Sequence, residues 1–143
     1  MGRFKLINYI QKKFITSLFF GSFFFQLILA FQPQTNQELQ NAVNLWVDDN
    51  ASALSTYGEI NTWDTSLITD MSQLFSDKTI FNDDISNWDV SNVTNMYEMF
   101  YHASSFNQDI GGWDVSSVSN MGWMFEEANN FNTDISGWNV SGV

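Results

Sequence analysis

The sequence predicts an α/β fold: a short right-handed solenoid of 25-residue units, each adding a parallel strand and a short helix, with an N-terminal capping helix. Three observations predict it. Trp63, Trp88, Trp113 and Trp138 stand 25 positions apart, as do Phe81, Phe106 and Phe131, and Ile60, Ile85, Ile110 and Ile135. Met71, Met96 and Met121, and Phe75, Phe100 and Phe125, keep the same interval. Residues 81–105 and 106–130 agree at 14 of 25 positions without a gap. A unit of that length cannot bury its apolar face alone, so successive units must stack.

Residues 1–30 read as a targeting segment. Arg3, Lys5, Lys12 and Lys13 form a basic start, and residues 14–30 (FITSLFFGSFFFQLILA) form an apolar run ending on the small Ala30. A cleaved signal peptide is the leading expectation and an uncleaved signal-anchor the alternative. Both send the remaining chain across a membrane, so the expected location is secreted or cell-surface. Membrane contact would come only through residues 14–30, if they are retained.

Residues 31–56 are expected to hold a capping helix and a linker. Thr35-x-x-Glu38 has the form of a capping box. Leu39, Ala42, Val43 and Trp46 follow as one apolar face, suited to cover the first unit.

Residues 57–143 divide into units 57–80, 81–105, 106–130 and an incomplete 131–143. In each, Ile85-x-x-Trp88-x-Val90 and its equivalents have strand spacing. Met96, Met99, Phe100 and Ala103 sit at i, i+3, i+4 and i+7, the spacing of a two-turn helix. Core packing accounts for all these positions. The first unit departs from the pattern, with Thr65 in place of the valine and Lys78 in place of the alanine. The sequence stops at Ser141-Gly142-Val143, before the helix of a fourth unit. Either the chain is a fragment, or a partner covers the exposed sheet edge. Self-association at that C-terminal edge is the corresponding expectation.

Composition removes several classes of function. There is no cysteine, so disulfides, zinc–thiolate sites, a thiol nucleophile and a cysteine-linked lipid anchor are excluded. Beyond position 30 only Lys78 stands against all 16 Asp and Glu, which argues against nucleic acid. No phosphate-binding glycine loop, HExxH pair or nucleophile elbow is present.

The unit F-N-x-D-I-x-x-W-D-V-S-x-V-x-N-M-x-x-M-F-x-x-A resembles the 25-residue repeat of BspA-type leucine-rich-repeat surface proteins, mycoplasma surface lipoproteins among them. The matching blocks are Trp88–Ser91 with Met96–Phe100, and Trp113–Ser116 with Met121–Phe125. The likeness extends over about residues 57–143. It implies a leucine-rich-repeat-like solenoid, a secreted or surface location and, for some members, adhesion to host or matrix proteins. It brings no catalytic residues. The sequence departs from such lipoproteins in lacking the anchor cysteine and in its short array.

Polar residues repeat as well. Asp84, Asp109 and Asp134 form one column; Asp64, Asp89 and Asp114 form another, continued by Asn139; Asn82, Asn107 and Asn132 form a third. Carboxylates stacked about 4.8 Å apart would repel by roughly 1 kcal/mol in water and about 3 kcal/mol at an effective dielectric of 20. The leading reading is that each Asp accepts backbone N–H groups within its own turn. The alternative is Ca²⁺ held between units by Asp84, Asp109, Asp134, Asp89 and Asp114. No other cofactor is implied. Carboxylates that repeat with the unit are structural in character, and His102 reads as a surface residue rather than a catalytic one. Asn50, Asn92 and Asn139 begin N-glycosylation sequons.

Positions that vary between units mark the contact face. Tyr97, Glu98, Tyr101 and His102 align with Gly122, Trp123, Glu126 and Glu127. Tyr97, Tyr101 and Trp123 would be outward aromatics, the residue type enriched at interfaces. The expected function is a non-catalytic binding or adhesion module for an extracellular protein or glycan. The alternatives are a structural protein forming surface arrays through its open end and, less favoured, a Ca²⁺-stabilised glycan-binding or hydrolytic protein.

Overall fold

A computed structural model describes residues 17–20, 23–26 and 30–143. The backbone of β1 (Ser17–Phe20) pairs antiparallel with β2 (Phe23–Gln26), Ser17 opposite Gln26. The targeting segment expected over residues 1–30 otherwise lies outside the described residues. No helix among the described residues is long and apolar enough to cross a membrane.

Helix α1 (Asn36–Asp48) begins where the capping box places it. The Thr35 hydroxyl accepts the Glu38 N–H at 3.1 Å, and the Glu38 carboxylate accepts the Gln34 N–H at 2.8 Å. The face formed by Leu39, Ala42, Val43 and Trp46 is buried. Trp46 meets Trp63 edge-on at 5.8 Å, and Gln40 Nε2 donates to the Leu74 carbonyl at 3.2 Å, so α1 sits against the first unit. The linker contains a second helix, α2 (Asn50–Tyr57). Asp49 caps it by accepting the Ser52 N–H and hydroxyl at 3.1 and 2.6 Å. It ends at Gly58, whose φ of +75° suits glycine. A single 3₁₀ turn, Ile60–Thr62, leads into the repeat.

From Trp63 onward the described backbone is a succession of turns. The strand expected at each Ile-x-x-Trp-x-Val is absent. Local bonds take its donors: Trp88 N–H goes to the Ile85 carbonyl at 3.1 Å, and Ser91 N–H to the Asp89 carboxylate at 3.0 Å. Asx turns of this kind compete with a ladder for the same groups. The only parallel pairing among the described residues is a pair of isolated bridges, Asp70 to Asn95 and Asn95 to Asn120. The helix expected over Met96–Ala103 is absent as well. Glu98 and His102 have φ of +55° and +56°, which a right-handed helix cannot contain.

The backbone of these segments, here called arms, donates to the neighbouring unit instead. Met71, Gln73, Phe75 and Asp77 N–H donate to the carbonyls of Asn95, Tyr97, Met99 and Tyr101 at 2.9 Å each. Met96, Glu98, Phe100 and His102 repeat the pattern onto Asn120, Gly122, Met124 and Glu126 at 2.8–2.9 Å. Equivalent side chains therefore lie over one another. Phe75, Phe100 and Phe125 stack at 5.3 and 5.6 Å with planes 1° apart. Phe81, Phe106 and Phe131 stack at 5.9 and 6.0 Å. Trp63 stacks on Trp88 at 6.1 Å, and Trp113 on Trp138 at 6.5 Å. Ile85, Val93, Met96, Met99, Phe100, Ala103 and Phe106 are fully buried between units.

Candidate functional site

The aspartate columns are turn acceptors. Asp84, Asp109 and Asp134 accept the N–H two residues on, from Ser86, Gly111 and Ser136, at 2.9, 3.0 and 2.9 Å. Asp64, Asp89 and Asp114 do the same for Ser66, Ser91 and Ser116 at 3.1, 3.0 and 3.1 Å, and Asn139 does so for Ser141 at 3.2 Å. A further column, Asp70, Asn95 and Asn120, repeats the bond to Ser72, Tyr97 and Gly122. Backbone and side-chain hydrogen bonds from Ser86 hold the Asp84 carboxyl below its usual range; those from Ser136 do so for Asp134, and those from Ser116 for Asp114. At Asp70 burial pushes the other way, but the hydrogen bonds from Ser72 and Asn95 outweigh it. Among the described residues no group of three or more His, Cys, Asp or Glu is arranged to hold a metal ion. Asp84, Asp109, Asp134, Asp89 and Asp114 are thus spread through separate turns.

The asparagine column works between units. Asn82 Oδ1 accepts the Asn107 N–H, and Asn107 Oδ1 the Asn132 N–H, both at 2.8 Å.

The variable positions gather on the arms. Tyr97 and Trp123 meet with ring centroids 5.8 Å apart, tilted by 42°. The Tyr97 ring lies over Gly122, where a Cβ would come within 3.3 Å of it. Trp123 is 60% exposed, the most open tryptophan of the core-forming stretch. Tyr101 is not part of that pair; it stacks on His102 at 4.0 Å, and His102 Nδ1 lies 3.1 Å from an Asp77 carboxylate oxygen. The Glu98 carboxylate accepts from Gln73 Nε2 at 2.6 Å. The hydrogen bond between Tyr97 and Glu98 raises the Tyr97 phenol above its ordinary range.

Glu98, His102 and Trp123, though not Tyr97 or Tyr101, share a backbone feature that sequence pattern does not reveal. Gln73, Glu98 and Trp123 have φ of +58°, +55° and +54°; Asp77, His102 and Glu127 have +60°, +56° and +57°. Each arm thus holds two left-handed residues four apart, and their side chains form two ridges running along the stack. Such positions favour Gly, Asn or Asp, and another residue there costs roughly 1 kcal/mol. Only Asp77 follows the usual preference, so Gln73, Glu98, His102 and Glu127 carried no signal in the sequence. An open cleft of about 390 Å³ lies elsewhere, beside Trp46, Leu54, Ile80 and Asp83, where Asp83 accepts the Trp46 indole N–H at 2.8 Å.

Repeated buried columns, local carboxylate turns and a variable aromatic–acidic ridge define the class: an acidic protein of stacked 25-residue turn units. Residues 34–143 match the family described as Mycoplasma protein of unknown function, DUF285, and the chain belongs to that family. No curated protein and no solved structure matches the chain.

Proposed function

We propose that the protein is a secreted or surface-displayed binding module, a BspA-type leucine-rich-repeat-like solenoid that recognises an extracellular protein or glycan and performs no catalysis. One observation carries this reading. The residues that differ between units collect on the arm ridges, where Tyr97, Glu98 and Trp123 project from a stack whose buried positions hardly change. Several of them occupy left-handed backbone positions that glycine would fill without strain. Retaining Trp123 and Glu98 there fits a role outside the fold itself. The basic and apolar start of the sequence supports export.

The test is adhesion of the full chain to arrays of extracellular matrix proteins and glycans, with a Tyr97→Ala/Trp123→Ala variant beside a Leu67→Ala control. Leu67 is an exposed hydrophobic residue outside the arms. The expected result is a captured partner whose affinity falls about tenfold or more in the double variant only, with unchanged melting temperatures. Equal binding by all three proteins would remove the ridge from the proposal. Hydrolase activity tracking a single Asp would overturn the non-catalytic assignment.

A further inference from the structure

We propose that the cleft between the helical cap and the first unit is a binding site for a small organic amine, one that carries an ammonium group on an apolar body. The cleft shares no residue with the arms, so the inference stands apart from the proposed function.

The cleft measures about 390 Å³, within the size range of small-molecule sites. The buried rings of Trp46 and Phe81 line it, together with Leu54 of α2 and Ile80, which are 41% and 77% exposed. Glu59 and Asp83 add a carboxylate each, and no basic side chain lines the cleft among the described residues.

Comparison between units shows that packing does not account for these side chains. The position of Ile80 is held by Ser105 and Asn130 in the next two units. An isoleucine left 77% exposed adds little to the core beside it. The position of Asp83 is held by Gln108 and Thr133. The position of Glu59 is held by Asp84, Asp109 and Asp134, each of which accepts an N–H within its own turn. Glu59, longer by a methylene, makes no side-chain capping bond at the 3₁₀ turn it precedes. Asp83 commits only Oδ2, to the Trp46 indole N–H. Neither carboxylate is in a salt bridge among the described residues.

Charge complementarity names the ligand. An anion would meet two carboxylates on a chain of formal net charge −11 and be repelled. A neutral apolar molecule would gain nothing from them. A bare metal ion would leave Leu54 and Ile80 uncovered, and among the described residues no group of three His, Cys, Asp or Glu is arranged to hold one. An ammonium on a short hydrocarbon body pairs with the carboxylates and covers the apolar surface together.

The probe is n-hexylamine, titrated into the full chain while the Trp46 indole N–H and the Leu54 and Ile80 methyl resonances are followed by NMR. All should move together and saturate with a Kd on the order of 1 mM, and binding should weaken as salt is raised. Glu59→Gln should weaken it by about two- to fivefold. Ile80→Ser removes apolar contact and should weaken it by a similar factor. Both variants should leave the rest of the spectrum in place. Three outcomes would overturn the proposal. Hexan-1-ol moving the same resonances at the same concentration would show that the carboxylates take no part. Unchanged affinity in a folded Glu59→Gln/Asp83→Asn variant would show the same. Tighter binding of N-acetyl-lysine methylamide than of hexylamine would make a polypeptide side chain the occupant in place of a free amine.

Discussion

Individual residues carry the contacts between units, and the tryptophans show how. Trp88, Trp113 and Trp138 each send their indole N–H back to a carbonyl of the preceding unit, those of Ile60, Ile85 and Ile110, at 2.8, 3.3 and 3.1 Å. Trp63 has no unit before it and bonds instead to the Gly58 carbonyl at 3.2 Å. Replacing Trp88 by Phe keeps an aromatic ring but leaves the Ile60 carbonyl without its donor. That change should cost about 1–3 kcal/mol, read as a shift in the urea midpoint; a shift worth under about 0.5 kcal/mol would show that the bond contributes little. The identity and spacing of the tryptophans were plain in the sequence. Their reach to a carbonyl 28 residues back was not, because periodicity marks a side chain as buried without naming its partner. Thr65 is similar. In the sequence it stands only as a replacement for the valine of the other units; in the structure it is fully buried and its hydroxyl donates to the Asp89 carbonyl at 2.8 Å.

At the scale of elements, the sequence was most legible where one segment satisfies its own backbone. Helix α1 obeys that condition, and Thr35, Glu38 and the buried face at Leu39, Ala42, Val43 and Trp46 were all readable. Thr35→Ala removes the side-chain acceptor of the Glu38 N–H and should cost about 1 kcal/mol in chemical denaturation. An unchanged midpoint would mean that neighbouring groups satisfy the helix start. Helix α2 was read as linker because only Ala53 among its residues is buried, leaving little apolar periodicity to detect. The arms misled in the other direction. Met96, Met99, Phe100 and Ala103 have helical spacing and are buried, yet the chain reaches those places through alternating turns. Apolar spacing records which side chains face the core, and two different backbone paths meet that requirement. What separated them was the left-handed conformation at Glu98 and His102, which neither residue type announces.

For the whole molecule, the relevant quantity is its charge and how that charge is held. Formal net charge is −11, and many carboxylates are tied into turns. The turn hydrogen bonds hold the carboxyls of Asp49, Asp70, Asp84, Asp114 and Asp134 below the ordinary carboxylate range in the folded chain. A lowered carboxyl stabilises the fold at pH values above its unfolded pKa, and that contribution disappears as pH falls through the folded value. Thermal stability should therefore hold down to about pH 4 and drop below it, as melting curves between pH 7 and pH 2 would show. Asp84→Asn/Asp114→Asn/Asp134→Asn keeps an oxygen acceptor in each turn and should flatten that acid limb. An identical limb in the triple variant would place the titrating groups elsewhere.

The one-way bonding of the arms has an electrostatic consequence. Eight interarm amides point their hydrogens in the same direction along the stack, so their dipoles add, as they do along the axis of a helix. The sum makes the third-arm side of these eight bonds the positive pole, on a molecule that is otherwise strongly anionic. Glu126 and Glu127 sit at that pole, where negative charge is best accommodated, so part of the acidity of the third unit offsets a field created by the two units before it.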